Sequence, residues 1–337
     1  MPESIRFIFM RSFIIGIFLV VLLSPSLKAQ QDAQFSMYMF NRYVLNPAYA
    51  GALEATNITA LGRAQWVGIQ GSPNTATLSI NGYSQKLHGG LGAYVVSDQL
   101  GSWQTLGLKA SYSYIANFSP RAKLNIGVGG GIYQKQLDGT NFVYNQDNGI
   151  DPTLPTGVQN QLVPDLDAGV YFHLLRKNNT SSAYPQDAFF LGASVGHILE
   201  PQLDDLVLPT SSQTNLSRSI QAMVGGSIDL SPTVVLSPSA NFRLQGPTYQ
   251  FDLNANIYVS PMVFGLSHRW MDSFTGIVGF NASTYLFMAY SYDYTLSQLG
   301  SFTTGSHEII VSYTFPSKYK NLAPKRGTRT LNINDVF

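Results

Sequence analysis

Five histidines, the side chains best suited to acid–base or metal chemistry near neutral pH, are scattered along this 337-residue chain. They are His88, His173, His197, His268 and His307. No two of them have the spacing of a zinc site, and no His-Glu-x-x-His motif occurs. His307 and Glu308 are neighbours, so on a strand their side chains would point to opposite faces, which disfavours an acid–base pair.

Other reactive arrangements are equally weak in this chain. Cysteine is absent, which excludes disulfides, thiolate metal sites and cysteine nucleophiles. A Ser-His-acid site assembled from distant strands stays open as an alternative, although no residue is singled out for it. Asn145, Asp147, Asn148, Gly149 and Asp151 have a calcium-like acidic spacing but lack the closing Glu of an EF-hand, which favours an ordinary solvated loop. The sequence predicts a protein that is not an enzyme, with no catalytic, cofactor-binding or metal residues.

The composition belongs to neither a soluble protein nor a helical membrane protein. Charged residues make up 12% of the chain, about half the ~25% typical of soluble domains. Mean hydropathy is only +0.03, whereas several transmembrane helices of about 20 apolar residues would raise it strongly. A net charge of +1 provides no basic field for nucleic acid.

Residues 1–29 have the pattern of a cleavable signal peptide. Arg6 and Arg11 precede an 11-residue apolar run, 13–23, and Ala29 is a small residue at the expected cleavage point. The alternative is a membrane anchor, but eleven helical residues cover only about 16 Å of a ~30 Å hydrocarbon core. Export is therefore expected, with a mature chain that starts near Gln30 and holds no membrane-spanning helix.

Period-two alternation dominates the rest of the chain and predicts long β-strands. In one example, Leu253, Ala255, Ile257 and Val259 alternate with Asp252, Asn254 and Asn256. Strands of about 9–11 residues suit a tilted crossing of the membrane. Fourteen candidate strands start near residues 56, 73, 89, 103, 121, 165, 187, 217, 233, 247, 262, 274, 284 and 306. We predict an all-β fold, a transmembrane antiparallel β-barrel of about 14 strands over 56–315.

Gap lengths predict the orientation of this barrel. The even-numbered gaps are mostly tight, whereas three of the longest gaps, roughly 135–164, 198–216 and 295–305, are odd-numbered. Outer-membrane barrels have short periplasmic turns and long external loops, so both termini are expected in the periplasm. Residues 30–55 then form a periplasmic N-terminal segment and 316–337 a periplasmic C-terminal tail. The gap 176–186 is an exception to the length rule. A soluble β-sandwich or propeller is the alternative fold.

Side chains on the predicted strands fall into two groups. Charged residues on the polar faces are expected to point into the lumen: Lys109, Lys123, Asp167, Asp229, Asp252 and Glu308. Aromatic residues near strand ends are expected to form girdles at the two membrane interfaces. They are Tyr112, Tyr114, Tyr133, Tyr171, Phe172, Phe189, Phe190, Tyr258, Tyr290, Tyr292 and Tyr294.

Three blocks of sequence are more specific than a generic barrel. They read QDAQFSMYMFNRYVLNPAYAGA at 31–52, GRAQWVGIQGSPNTATLSING at 62–82 and YDYTLSQLGSFTTGSHEIIVSYTF at 292–315. The first closely resembles the N-terminal signature of the PorP/SprF family of type IX secretion membrane proteins, and the other two resemble later parts of the same family. The signature residues, which are also the candidate partner-binding residues, are Phe35, Tyr38, Phe40, Asn41, Asn46, Pro47, Tyr49, Gly51, Arg63, Gln65, Trp66, Gly71, Pro73, Gly305, His307 and Glu308.

The resemblance implies a multi-pass barrel in the bacterial outer membrane that serves type IX secretion and gliding motility without catalysis. It implies partners among periplasmic and outer-membrane components of that system, and a secreted surface adhesin or its C-terminal sorting domain, in contact with outer-membrane lipid. A passive porin or solute channel is the alternative function. We expect residues 31–52 to fold against the periplasmic mouth as a docking surface. The alternative is a plug that closes the lumen or anchors the first strand.

Overall fold

The computed structural model describes residues 32–140, 157–176, 187–203 and 215–315. These residues contain fifteen strand segments. They are β1 (Asn57–Ala64), β2 (Asn74–Ser84), β3 (Gly89–Leu100), β4 (Trp103–Asn117), β5 (Ala122–Asp138), β6 (Val158–Leu175), β7 (Asp187–Gly196), β8 (Ser219–Gly226), β9 (Ile228–Ser231), β10 (Val234–Gln245), β11 (Thr248–Val259), β12 (Met262–Arg269), β13 (Ser273–Asn281), β14 (Leu286–Thr295) and β15 (Ser306–Thr314).

The segments close into a barrel of fourteen strands, as predicted. The short β8 and β9 are separated at Ser227 and both pair with β10, so they are the two halves of one strand. All the pairings along the sheet are antiparallel, and β1 pairs with β15 from Asn57↔Thr314 to Ala64↔His307. Closure leaves no open sheet edge between the first and last strands, which is what a membrane barrel requires.

One predicted boundary is wrong. The sixth strand starts at Val158 rather than near residue 165, so the β5–β6 connection is shorter than the predicted gap 135–164. Pro164 and its polar neighbours resemble a loop, but residues 158–164 pair with β5 up to Asp138↔Val158. β7 pairs with β6 only from Ala168 onwards, so the missing N–H of Pro164 interrupts no ladder on that side.

The alternation of faces is confirmed. Leu253 and Ile257 are 45% and 41% exposed on the outer surface, whereas Asn256 between them is 1% exposed and points inward. Lys109, Lys123, Asp167, Asp252 and Glu308 are likewise buried inside the barrel. The remaining charged residue of the predicted lumenal set, Asp229, lies opposite the inward-facing Val235 but is exposed at the rim, where it pairs with Arg176.

Part of the predicted aromatic girdle lies in the interior. Tyr133, Tyr171 and Phe190 are at most 7% exposed and point inward, and Tyr258 shares the inward face of β11 with Asn256. Period-two alternation assigns these residues to the inner face. The girdle prediction rested instead on their distance from the strand ends. An aromatic side chain is stable there because this barrel is packed with protein rather than filled with water.

The two ends of the barrel differ in their connections. The end that carries the tight connections 85–88, 118–121, 232–233, 260–261 and 282–285 is called the turn end. The end that carries the connections 139–157, 197–218 and 296–305 is called the loop end. The three long connections therefore share one end, as expected. Length alone does not separate the ends, because the loop end also carries the short connections 101–102, 246–247 and 270–272, and the turn end carries 176–186. That the loop end faces the outside of the cell stays a prediction.

Helical structure in the described residues is short. The α-helix α1 (Arg42–Leu45) is flanked by 3-10 turns at Tyr38–Phe40 and Pro47–Tyr49, and another 3-10 turn covers Gln298–Ser301. Within the described ranges we find no helix with the length and apolarity needed to cross a membrane.

Candidate functional site

Residues 32–55, called here the lumen segment, run through the inside of the barrel. The segment begins at the loop end, where the Asp32 amide donates to Gln245 Oε1 at 2.8 Å. It finishes at the turn end, where the Phe315 amide donates to the carbonyl of Thr56 at 2.8 Å, just before β1. We expected this region outside the barrel, at its periplasmic mouth. Its aromatic side chains are instead removed from water by the lumen wall.

A cluster of charges holds the first residue of the lumen segment. The two ring nitrogens of His197 lie 2.9 Å from carboxylate oxygens of Asp32 and Asp165. Arg243 lies 3.4 Å from Asp32, and Lys109 lies 2.5 Å from Asp165. Each carboxylate therefore meets two cations at the loop end of the lumen.

The charges in this cluster reinforce one another. Burial alone would lower the pKa of His197, but the charge of Asp32 and the contacts with Asp165 and Asp32 raise that pKa to about 9. Burial would likewise raise the pKa of Asp32, but His197 and then Arg243 outweigh it and hold this pKa well below its usual range. The two groups are thus a charged pair at neutral pH.

Ser36 is the centre of a second buried network. Its amide donates to Glu308 Oε2 at 2.8 Å, and its hydroxyl donates to Asp293 Oδ2 at 2.6 Å. Arg63 binds both carboxylates, at 2.8 Å to Glu308 and 2.7 Å to Asp293, and also donates to the Ser36 hydroxyl. Arg269 donates to the same hydroxyl at 3.3 Å. Buried charges of this kind are stable only when they are paired, and here Arg63 pairs with both carboxylates.

This network joins the three sequence blocks. Ser36 comes from the first block, Arg63 from the second, and Asp293 and Glu308 from the third. Arg63 and Glu308 were candidate residues, whereas Ser36 and Asp293 were inside the blocks but not chosen. The signal that could have found them is charge balance, because a buried arginine requires acceptors.

The aromatic candidates of the first block pack against the wall of the lumen. The Tyr38 hydroxyl lies 3.1 Å from Ser239 Oγ on β10. The ring of Phe40 lies 4.9 Å from that of Phe287, and Phe35 packs on the same apolar cluster. Asn41, a further candidate, accepts a 3.2 Å hydrogen bond from the hydroxyl of Ser79.

Arg42 of α1 is ion-paired with the wall formed by β6 and β7. Arg42 donates to Tyr171 Oη at 2.9 Å and to Asp187 Oδ2 at 2.8 Å. Its guanidinium stands 3.8 Å from the centre of the Phe190 ring, a cation–π contact. Tyr43 next to it exchanges a 2.9 Å hydrogen bond with Ser111. Neither residue was a candidate from the sequence, because nothing local distinguishes an ion-paired lumenal arginine from a solvated one.

The Asn46-Pro47 turn attaches the segment to two further strands. Asn46 is fully buried and caps the following 3-10 turn by accepting from the Ala48 amide at 2.9 Å. Its Nδ2 donates to the carbonyls of Val170 on β6 and Ala193 on β7, at 3.0 and 3.3 Å. Tyr49 packs edge-on against Tyr171, with ring centres 5.2 Å apart. These candidates therefore position the segment.

Gly51 is required for close approach of the two backbones. It has φ +73°, and a Cβ there would lie 2.6 Å from the Cα of Gly90 on β3. Only glycine allows both this left-handed conformation and this contact.

The candidates of the second and third blocks order the loop end. The backbone N–H of Gln65 donates to the Pro73 carbonyl at 2.9 Å, and the backbone N–H of Trp66 donates to Ser306 Oγ at 3.0 Å. Gly71 has φ +73° in the same β1–β2 loop. The Gly305 carbonyl accepts from Val67 at 2.8 Å. His307 faces outward, where its Nδ1 lies 2.6 Å from the Tyr290 hydroxyl, so His307 and Glu308 occupy opposite faces as predicted.

Cavities remain beside the lumen segment. One of about 330 Å³ lies at the loop end, and a smaller one of about 80 Å³ lies between the segment and the wall. The 330 Å³ cavity is called here the larger cavity. The walls of the larger cavity include Asp32, Gln34, Trp66, Asp98, Arg243 and Asp272.

The contacts of the described residues hold a peptide segment in the lumen. Gly192-Ala193-Ser194-Val195-Gly196 has the spacing of the hydrolase nucleophile elbow. That elbow requires a strand-to-helix turn, whereas Ser194 lies within β7 and donates to the Leu45 carbonyl at 2.7 Å. In the parts of the chain that the structure describes, we find no group of three metal-ligating residues. The acidic loop of Asn145 and Asp151 lies outside those parts.

Comparison with known proteins gives two results of different weight. Several solved outer-membrane proteins resemble the fold at low similarity. The Ralstonia pickettii toluene transporter TbuX has 12% identity and TM-score 0.45, covering 81% of this chain and 92% of its own. A Pseudomonas aeruginosa FadL homologue has 12% identity and TM-score 0.43, covering 81% and 93%. Acinetobacter baumannii Omp33 has 8% identity and TM-score 0.41, covering 78% and 98%. No curated protein matches the chain.

The second result is decisive because it covers most of the sequence. The family of type IX secretion system membrane proteins PorP/SprF matches residues 27–313. This range contains the lumen segment and nearly the whole barrel, and the protein is a multi-pass barrel of the bacterial outer membrane. The chain belongs to the PorP/SprF family of type IX secretion system membrane proteins.

Proposed function

We propose that this protein is a non-enzymatic docking barrel of the type IX secretion and gliding motility apparatus. It holds a periplasmic component, or a secreted adhesin or its C-terminal sorting domain, at the outer membrane. The observation that carries this proposal is the lumen segment, which occupies the space that a solute would need.

Contacts with opposite walls support a permanent occupant. Ser36 bonds to β14 and β15, Tyr38 contacts β10, and Arg42 bonds to β6 and β7. Further along, the carbonyl of Ala48 accepts from Ser113 on β4 and Asn125 on β5. A water-filled porin keeps a polar, hydrated interior, whereas the polar groups named above on β4, β5, β6, β7, β10, β14 and β15 are bonded to the lumen segment.

The passive porin is the alternative, and conductance separates it from docking. If the protein is a docking barrel, the purified wild type is expected to show no steady conductance in planar bilayers. A steady single-channel conductance of the wild type contradicts that expectation and favours the porin.

Partner capture tests docking directly. The native barrel is extracted from outer membrane and the co-purifying chains are identified, while secretion of a sorting-domain reporter is measured in cells with and without the gene. Docking predicts co-purifying type IX components or an adhesin, and a secretion defect in the deletion strain. Unchanged secretion together with a barrel that purifies alone would refute it.

Variants of the lumen segment show whether it takes part in docking. Phe35→Ala, Tyr38→Ala and Phe40→Ala combined loosen the segment, and Tyr313→Ala on the outer surface is the matched control. If the segment only seals the lumen, the triple variant gains conductance and still secretes. If the segment also shapes the docking surface, secretion falls in the triple variant and not in the control.

A further inference from the structure

Gly276 on β13 leaves a notch in the outer, lipid-facing surface of the barrel. A Cβ at this position would meet no atom within 4 Å, and the φ of Gly276 lies outside the left-handed region, so the backbone does not require glycine here. Large outward side chains surround the position, and Leu266 is 74% exposed. The Gly276 notch is defined by Gly276 and its four outward neighbours, Leu266, Phe274, Val278 and Tyr292.

The ring of Tyr292 is held away from the notch. Tyr292 pairs with Gly276 on one side and with His307 on the other. Its hydroxyl donates to the Thr304 carbonyl at 2.7 Å, and its ring centre lies 5.3 Å from that of His307. A Cβ at Gly305 would lie 2.8 Å from this ring, so the ring occupies space that Gly305 leaves. Tyr292 therefore leans towards β15, and the notch at Gly276 stays open.

His307 and Tyr290 place a hydrogen-bond donor on the same outer face. His307 Nδ1 lies 2.6 Å from the Tyr290 hydroxyl, and within the described ranges we find no second hydrogen bond for either side chain. The neutral pair holds two polar hydrogens, the imidazole N–H and the phenolic O–H, and their shared bond uses one of them. Whichever group donates, one donor is left over. A donor at the lipid surface is costly unless it finds an acceptor.

We propose that the Gly276 notch binds an ester-linked membrane lipid. One acyl chain lies in the notch, and an ester or phosphate oxygen accepts from the His307–Tyr290 pair. Gly276 and His307 are two strand spacings apart, about 10 Å, which is less than the ~15 Å that one leaflet contributes to the hydrocarbon core. His307 is the second residue of β15 and Gly276 the fourth of β13, so the donor lies nearer the loop end and its headgroup region.

The shape of the notch favours a lipid over a membrane-embedded protein partner. Close packing of two proteins in a membrane uses repeated small residues along an element. Here a single glycine is enclosed by the leucine, phenylalanine, valine and tyrosine side chains of the notch. A gap one residue wide admits a chain of methylene groups, whereas a strand or helix would rest on the rim.

Native mass spectrometry of the purified barrel tests the proposal. Delipidated protein in detergent is titrated with phosphatidylethanolamine and, in a parallel series, with lipopolysaccharide, and the adduct of one lipid is measured. Gly276→Leu fills the notch, and His307→Phe combined with Tyr290→Phe removes the donor. Gly62→Leu is the matched control, because Gly62 also faces outward, on β1, and a Cβ there meets no atom within 4 Å.

We expect Gly276→Leu and the double variant each to weaken binding about two- to tenfold, the effect of losing roughly one hydrogen bond or an equivalent contact. Gly62→Leu should bind like the wild type, and the titrant that gives this pattern identifies the lipid. Equal binding by all four proteins overturns the proposal. It is also overturned if Gly276→Leu loses a co-purifying protein while its lipid adduct is unchanged.

Folding of each variant is checked by its heat-modifiable mobility. If Gly276→Leu does not assemble, Gly276→Ala takes its place, since its added methyl group meets no neighbouring atom within 4 Å. The notch lies outside the lumen, so the proposed function, which is tested by secretion and partner capture, can fail or stand independently of it.

Discussion

Gly127 on β5 is the place where a single methyl group should detach the lumen segment. A Cβ at this position would lie 2.4 Å from the Ala48 nitrogen, 2.5 Å from the Ala48 Cα and 2.6 Å from the Pro47 carbonyl carbon. All three are backbone atoms, so no rotamer change relieves the clash. Ordinary contact begins at 3.4 Å, so the segment must retreat by about 1 Å, the difference between 3.4 and 2.4 Å.

That displacement breaks two specific hydrogen bonds. The Ala48 carbonyl accepts from Ser113 Oγ at 3.0 Å and from Asn125 Nδ2 at 3.1 Å. Overpacking costs about 1–3 kcal/mol, and a buried donor left without its acceptor costs about 1–3 kcal/mol. Because the two costs partly replace each other as the segment moves, we expect Gly127→Ala to destabilise the folded barrel by about 2–4 kcal/mol.

Gly129 is the matched control on the same inward face of the same strand. A Cβ there has its nearest neighbour at 3.6 Å, an ordinary contact. The entropy that a glycine-to-alanine change removes from the unfolded chain is shared by both variants, so it cancels in the comparison. Urea unfolding in detergent micelles, followed by tryptophan fluorescence, measures the difference in stability, and bilayer conductance reports release of the segment.

The outcome that refutes this reasoning is equality. If Gly127→Ala and Gly129→Ala unfold at the same urea concentration and both stay closed in bilayers, the segment does not press on β5 as described. Greater conductance of Gly129→Ala alone would show that the lumen segment presses on β5 near Gly129 and not near Gly127.

Three further predictions concern other parts of the barrel. The pKa of His197 is raised, so the stability that its charge adds is complete below pH 6.5 and is lost as the pH rises through about 9. Protease cleavage near Asp32 should therefore increase above pH 9, and His197→Gln should remove that pH dependence. Arg63→Met removes the cation shared by two buried carboxylates and should lower the free energy of unfolding by about 3–5 kcal/mol, and an unchanged urea midpoint would contradict this pairing. Ala255→Arg on the lipid face should lower the free energy of unfolding by about 2–4 kcal/mol near the midplane, whereas Ala255→Leu should be tolerated. Equal stability of the two variants would show that Ala255 does not face lipid.

The candidate site could be only partly read from the sequence. Arg63, Glu308 and the Asn46-Pro47 turn were named, because each is conspicuous in its block. Only the Asn46-Pro47 turn was expected at the periplasmic mouth, whereas Arg63 was a candidate partner-binding residue and Glu308 was also expected to point into the lumen. In the structure all of them hold the lumen segment. The interior of a closed barrel is invisible to a local pattern, since the same alternation describes a lumen filled with water and one filled with protein.

The sequence by itself determined the strands, their two faces and the parity of their connections. These are local properties, because side chains alternate at every residue of a strand and turns are short where glycine, proline and polar residues cluster. The pairing of Ser36 with Glu308, 272 residues away, was decided only by the tertiary structure. Which strands face each other across a lumen depends on how many strands close the barrel and with what stagger. For the same reason the direction of the lumen segment followed from closure, which no single stretch of this chain encodes.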